Sequence, residues 1–200
     1  MKVANSRKTT NAMGTLFVIA TPIGNLDDLS QRAEKILKKV SVLACEDTRH
    51  TKRLLNRYKI TVPLVSFHAH SPHGKAARLV ERIVAGEDVG YVSDAGTPGV
   101  SDPGGLLVTE AHRRNVPVVP IVGPSAITAA LSVSGMRADH FIFHGFPPRK
   151  KGRQTWLSGL VEQKETSVFF ESPFRIVKTL ADLSDLMPER RILVARELTK

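Results

Sequence analysis

The chain has 200 residues with 42% hydrophobic and 24% charged positions. That is ordinary for a soluble globular protein and enough for one large domain or two small ones. A single cysteine, Cys45, argues against a disulfide framework and reads as a buried strand thiol in a reducing compartment. The formal net charge of +10 points to an anionic partner, with nucleic acid first, an anionic membrane surface second and a polycarboxylate third.

Met1 to Met13 is polar with Lys2, Arg7 and Lys8 and reads as a disordered tail. No signal peptide or membrane-crossing run is visible, so the expected compartment is the cytoplasm and no membrane contact is expected. The apolar run Leu16 to Ala20 is a first strand, ending in the turn Thr21-Pro22-Ile23-Gly24-Asn25-Leu26. The helix expected after it carries Leu29, Ala33, Ile36 and Leu37 on one face, with Asp27 and Asp28 at its start and Lys38 and Lys39 at its end. Neither a dinucleotide fingerprint nor a phosphate loop occurs, which argues against nicotinamide cofactors and nucleoside triphosphates.

Val42 to Cys45 is the second strand, and Glu46-Asp47-Thr48-Arg49-His50-Thr51 leaves its end. The next helix sets Leu54, Leu55 and Tyr58 under a basic face of Arg49, Lys52, Arg53, Arg57 and Lys59. Such a face grips phosphate or is simply solvated. Pro63 to Phe67 is the third strand, followed by His68, His70 and His73. With no cysteine or carboxylate among them these read as turn residues beside a cleft, and no metal is expected. A helix through Leu79, Val80 and Ile83 leads to the fourth strand, Val89 to Val92. This succession of strand-then-helix units implies a parallel sheet with helices on its faces.

The stretch from Tyr91 to Gly104 organises the chain. A strand ends in a loop rich in Gly, Pro, Asp and Ser, and an apolar helix follows, as where α/β proteins bind ligands. Gly96 and Gly99 allow close backbone approach, Pro98 and Pro103 stiffen the loop, and Asp94 and Asp102 offer carboxylates. A connection this long in a compact domain is usually functional, although the same residues also make turns and cap helices.

A fifth strand, Val116 to Val122, precedes Gly123-Pro124-Ser125-Ala126 and a helix over Ile127 to Val133. Ser125 stands where helix N–H groups receive a carboxylate, or caps the helix. Past Gly135 come strand Phe141 to Phe146, the cationic loop Pro147-Pro148-Arg149-Lys150-Lys151-Gly152-Arg153, helix Thr155 to Val161 and strand Val168 to Phe170. The loop holds four cations and no acid, which suits RNA. A helix with Ile176, Leu180 and Leu183 and a last strand, Ile192 to Ala195, follow. The expected organisation is a tail over 1–13, an α/β domain over 14–122 and a second over 123–200. A second domain ending on a strand exposes a sheet edge, so a C-terminal truncation or an edge used in dimerisation is expected.

The motifs Thr21 to Leu26, Glu46 to Thr51, Ser93 to Pro98, Ser101 to Gly104, Gly123 to Ser125, Gly145-Phe146, Glu171-Ser172 and Arg196 to Lys200 resemble the tetrapyrrole methylase superfamily. Within it, the resemblance is to the branch that methylates a cytidine ribose 2'-hydroxyl of 16S rRNA. It implies a homodimeric methyltransferase of two α/β domains, the first a mostly parallel Rossmann-like sheet. S-adenosylmethionine would bind between the domains, and the small ribosomal subunit would be the substrate. By motif position Ile23, Gly24, Asp94, Ala95, Gly96, Thr97, Pro98, Ser125, Ala126 and Glu171 would line the methyl-donor pocket. Members of the family continue beyond the Arg-Glu-Leu-Thr-Lys motif with further strands. From charge, Arg53, Arg149, Lys150, Lys151 and Arg153 are expected to bind RNA. From position at a strand end, Asp47 is the expected proton acceptor, with Arg49 orienting it or holding the adjacent phosphate. Two other readings remain open: methylation of a tetrapyrrole and a non-catalytic RNA-binding module.

Overall fold

The computed structural model describes residues 12–68, 71 and 74–200. Residues 1–11 of the expected tail, with His70 and His73, lie outside the described residues. The chain divides into two compact units, with the boundary after Pro124.

In the first unit β1 (Leu16–Ile19), β2 (Val42–Cys45), β3 (Leu64–Ser66), β4 (Val89–Val92) and β5 (Val118–Ile121) form one parallel sheet in the order β3-β2-β4-β1-β5. The crossovers are α1 (Gln31–Leu37), α2 (Thr48–Arg57), α3 (Gly74–Val84) and α4 (Gly104–Arg113). Every residue of β2 and β4 is buried, the continuous apolar run of a sheet covered on both faces. Alternation splits those side chains between two cores. Leu43, Cys45 and Val92 pack with Ala33 and Leu37 of α1 and Leu54 and Leu55 of α2. Val42, Ala44 and Tyr91 pack with Leu79, Val80 and Ile83 of α3 and Leu107 and Ala111 of α4. At Gly90 a Cβ would stand 2.8 Å from Leu43 Cδ1, so that position of β4 has no room for a side chain.

The strand order and these two cores place the site. α1 and α2 carry the chain one way across the sheet on one face, and α3 and α4 carry it back on the other, as right-handed crossovers require. Loops leaving the neighbouring strands β2 and β4 therefore turn to opposite faces and open a crevice at the C-terminal sheet edge.

Several sequence boundaries shift. Asp27 and Asp28 sit in a short 3-10 turn, Leu26–Asp28, rather than in the first helix. α1 starts later because Ser30 caps it, accepting from Ala33 N at 3.1 Å, while Asp27 is drawn off to Arg57 at 2.9 Å.

The second unit contains α5 (Ala126–Ser134), β6 (Phe141–Phe143), α6 (Arg153–Glu162), β7 (Thr166–Val168) and α7 (Ile176–Leu186). β6 and β7 pair in parallel with α6 as crossover. Leu157, Leu160 and Leu183 make a small core against Trp156, Phe169 and Met187. β7 ends earlier than the apolar run suggests, although Phe170 N still reaches Gly145 O at 2.8 Å. The expected strand Ile192 to Ala195 is not formed. Ile192, Leu193 and Val194 are 45%, 46% and 51% exposed, and among the described residues no strand pairs with them. β-propensity without a partner ladder does not make a strand.

Candidate functional site

The loop between β4 and α4 is held from inside by one carboxylate. Asp102 Oδ2 accepts from Gly99 N at 2.7 Å and Val100 N at 3.2 Å, while Oδ1 accepts from Gly104 N at 2.7 Å and the Tyr91 hydroxyl at 3.1 Å. Tyr91 is wholly buried, and burial pushes its phenol far above the usual range, so it stays a neutral donor to Asp102. Asp102 is thus the organiser of the loop, and its carboxylate is not free for a ligand. Gly96 has φ +77°, and its N–H and C=O exchange hydrogen bonds with Thr21 at 3.0 Å each, which ties the loop to the turn after β1. A Cβ there would meet Ile23 Cγ2 at 3.3 Å. Thr97 Oγ1 donates to Pro124 O at 3.0 Å, and Pro98 is buried while Gly24, Asp94 and Ala95 are exposed.

Across the crevice, β2 and β4 cross-brace their ends. Asp47 N donates to Asp94 Oδ1 at 3.1 Å, and Asp94 N donates to Glu46 Oε1 at 3.2 Å. Burial, reinforced by the Asp94 and Asp102 charges, raises the proton affinity of Glu46. Asp47 goes the other way. Its carboxylate caps α2, accepting from Arg49 N at 2.8 Å, and forms a two-pronged pair with the Arg49 guanidinium at 2.9 and 3.2 Å. Those bonds hold it well below the usual carboxylate range. A carboxylate stabilised as an anion in this way is a weaker base than the neighbouring Glu46. The Arg49 side chain of that pair is 89% exposed.

Beside the crevice lies a small open concavity. The turn after β1 contributes Thr21, Pro22 and Leu26; α2 contributes His50, Thr51 and Leu54; the end of β4 contributes Val92, Ser93 and Asp94. Of these, sequence reasoning singled out only Asp94 as a contact. The signal for the rest was their position, immediately past the ends of β1, β2 and β4, the three strands adjacent in the sheet.

Ser125, Ala126 and Glu171 belong to the second unit. Ser125 is the N-cap residue of α5 but makes no side-chain capping bond. Glu171 has a side chain only 3% exposed. Its Oε1 faces Arg175 at 2.6 Å and accepts from Ser172 N at 2.7 Å, and its Oε2 accepts from the Thr179 hydroxyl at 2.7 Å. The carboxylate is thus engaged by its own unit. Arg153, expected to contact RNA, is likewise engaged within the second unit. Its side chain is 12% exposed and binds Asp182 at 3.0 Å and the Thr179 hydroxyl at 2.9 Å. The missed acid, Asp182, lies on α7, beyond the reach of local charge counting. Arg149, Lys150 and Lys151 are exposed, as is Arg53 on α2.

The parallel sheet and its glycine-aspartate loop define an α/β protein with a crevice at the C-terminal ends of its strands. Its fold is similar to that of uroporphyrin-III-C-methyltransferase from Thermus thermophilus (TM-score 0.51, 21% identity, covering 66% of this chain and 60% of that one). The profile of the tetrapyrrole (corrin/porphyrin) methylases matches residues 15–200, and the chain belongs to that family. It is 48% identical over 189 residues to a Pseudomonas aeruginosa protein named ribosomal RNA small subunit methyltransferase I, covering 94% of this chain and 67% of that one. Proteins of the same name from Synechocystis sp. (46%, covering 94% of this chain and 68% of that one) and Thermotoga maritima (44%, covering 94% and 85%) are also similar.

Proposed function

We propose that the chain is an S-adenosylmethionine-dependent methyltransferase that acts on a cytidine ribose 2'-hydroxyl of 16S rRNA in the small ribosomal subunit. The observation that carries the reading is the identity to relatives named ribosomal RNA small subunit methyltransferase I along nearly the whole chain. The crevice suits the methyl donor. Gly99, exposed and at positive φ, leaves open space beside the loop, and Asp94 and Glu46 give carboxylates suited to ammonium and hydroxyl groups. Ile23, Gly24, Asp94 to Pro98, Ser125 and Ala126 are proposed to bind the donor. When bound, S-adenosylmethionine supplies an electrophilic sulfonium methyl.

The chain's own contribution is orientation and a route for the hydroxyl proton. Glu46 is the group proposed to take that proton. It stands at the end of β2, its position is fixed by Asp94 N, and its proton affinity is raised rather than lowered. Arg53, Arg149, Lys150 and Lys151 are proposed to grip RNA phosphates. A homodimer is proposed from apolar surface in the second unit, where Phe174 is 98% and Val177 78% exposed. Among the described residues no helix is long and apolar enough to cross a membrane, and the cytoplasm is the proposed compartment. The test is methyl transfer from labelled donor to unmodified small subunits, with uroporphyrinogen as the competing acceptor. Transfer to the tetrapyrrole alone would refute the proposal.

A further inference from the structure

β6 and β7 run parallel, so the chain leaves both at the same edge of their sheet, and ligands of α/β proteins gather at such an edge. The two loops stay in step past the strands. His144 N donates to Val168 O at 2.9 Å, and Phe170 N donates to Gly145 O at 2.8 Å. Farther on, the loop after β6 is held by two arginines of its own unit. Arg175 Nη1 donates to Pro147 O at 3.3 Å, and Arg153 Nη1 donates to Pro148 O at 3.4 Å. Because consecutive prolines also fix φ there, this part of the loop is ordered before any ligand arrives.

Phe146 stands just before those prolines. Its ring packs on Phe170 with centroids 5.4 Å apart, and Phe170 meets Phe143 of β6 edge-on at 5.0 Å. The ring is therefore braced on one side, yet the residue is 56% exposed. A single exposed phenylalanine needs no explanation by itself. Its neighbours give it one. Arg149, Lys150 and Lys151 follow within five residues, at most about 18 Å of chain, are all exposed, and form no ion pair among the described residues. Arg153, the last cation of the run, is by contrast neutralised by Asp182 at 3.0 Å. A braced aromatic face beside unpaired cations is the combination that holds single-stranded nucleic acid, the cations tracking phosphates while a base stacks on the ring. A duplex keeps its bases within the stack, so it could use the cations but not Phe146.

Resting on the reading of RNA as the acceptor, we infer that Phe146 is a base-stacking residue and that the strand lying along the loop after β6 is single-stranded RNA, with an unpaired base on the Phe146 ring. The contact tolerates any base, because every base has a π face. It supplies affinity by stacking rather than charge, so salt dependence separates it from the cations beside it.

The test uses the full chain, a single-stranded oligoadenylate and an RNA duplex of the same length, with binding measured across a salt series. Phe146→Leu, which keeps an apolar contact to Phe170, and Phe146→Ala should each bind the oligoadenylate at least about fivefold more weakly than wild type, with an unchanged log–log salt slope. Phe146→Trp should bind as tightly as wild type or better, and its added indole emission should be quenched by the oligoadenylate. Duplex affinity should be the same in every one of these proteins. Unchanged oligoadenylate affinity in Phe146→Leu overturns the inference and leaves the RNA reading standing. An equal loss on the duplex, or a flattened slope, also overturns it. So does a Phe146→Leu protein of lower mass by sedimentation with its RNA affinity kept, which would make the ring a contact between copies of the chain. Should Phe146→Leu fail to fold, Phe146→Trp decides alone: quenched emission upholds the inference and unquenched emission removes it. If wild type binds neither RNA, the inference falls, and methyl transfer to small subunits then decides the RNA reading by itself.

Discussion

Replacing Arg153 with alanine should destabilise the second unit rather than weaken RNA binding. The guanidinium binds Asp182 through Nη2 at 3.0 Å and Nε at 3.3 Å, Thr179 Oγ1 at 2.9 Å and Pro148 O at 3.4 Å, and faces Glu171 at 3.9 Å. Removing one partner of a buried ion pair costs about 3–5 kcal/mol where nothing else compensates the charge left behind. Here something does. Asp182 keeps Lys178 at 2.9 Å, and Glu171 keeps Arg175 at 2.6 Å. The expected loss is therefore about 2–3 kcal/mol, from charge-assisted hydrogen bonds. For a chain of this size that is a fall in Tm of roughly 4–12 °C. Arg153→Lys should recover only part, because an ammonium cannot span Asp182 and Thr179 as the planar fork does. The comparison variant replaces Arg149, Lys150 and Lys151 with serine. It should melt near wild type, while each RNA phosphate deprived of its cation flattens the log–log salt dependence of binding by about 0.7–0.9. Thermal melting and filter binding across a salt series read both quantities. An Arg153→Ala protein with wild-type Tm and a flattened slope would refute the packing role and return Arg153 to the RNA surface.

Glu46→Gln should cut turnover by about 10²–10⁴ with little change in donor affinity, whereas Asp47→Asn, which keeps the helix cap, should stay within about tenfold of wild type; the reverse ranking in single-turnover assays would restore Asp47 as base. The same pair gives opposite pH signatures. Because the folded-state pKa of Glu46 is raised, wild type loses stability relative to Glu46→Gln as pH rises from the ordinary value of 4.5, and the gap closes below it. Because that of Asp47 is lowered, its stabilisation is full above the ordinary 3.8 and fades as acid titrates it, so from neutral to acid pH denaturant melts of both variants should converge on wild type, Glu46→Gln from the more stable side and Asp47→Asn from the less stable side. Asp102→Ala should weaken donor binding without touching the donor, by freeing Gly99 N, Val100 N and Gly104 N; faster amide exchange at those residues would accompany it, and unchanged exchange would sink the organiser role. Gly96→Val should also weaken donor binding, since a β-branched residue at φ +77° adds about 1–3 kcal/mol of strain, and an unaltered dissociation constant by calorimetry would count against the loop as the donor site.

The first unit was legible because its sheet is buried on both faces. Val42 to Cys45 and Val89 to Val92 had to be apolar at every position, so hydrophobic runs marked strands and loops between them marked the sheet edge. The second unit was less so. Its paired strands are short, and Ile192 to Ala195 is as β-prone in composition as β7, yet β7 has β6 beside it while the later run has no partner among the described residues. Strand formation there is decided by what lies alongside, a property composition does not carry. Asp102 shows the same limit within the site. Two aspartates of one loop, Asp94 and Asp102, look equivalent in sequence, and only the closure of the loop reveals that one faces the crevice while the other turns inward to Tyr91.

Charge was the most misleading signal when summed and the most informative when placed. A net +10 predicts an anionic partner for the molecule as a whole. In the first unit, however, Glu46, Asp47, Asp94 and Asp102 gather at the C-terminal ends of β2 and β4, while Lys52 and Arg53 stand exposed on α2. Opposite signs so close together favour a ligand that is itself divided, a polyanionic backbone carrying neutral, hydrogen-bonding bases. The acids hold back phosphate from the crevice that the cations attract to its rim, and a cationic methyl donor meets the sign it requires. A tetrapyrrole polycarboxylate would bring its negative charge to the acidic wall itself. The placement of charge, rather than its total, is therefore what favours the RNA acceptor within this family.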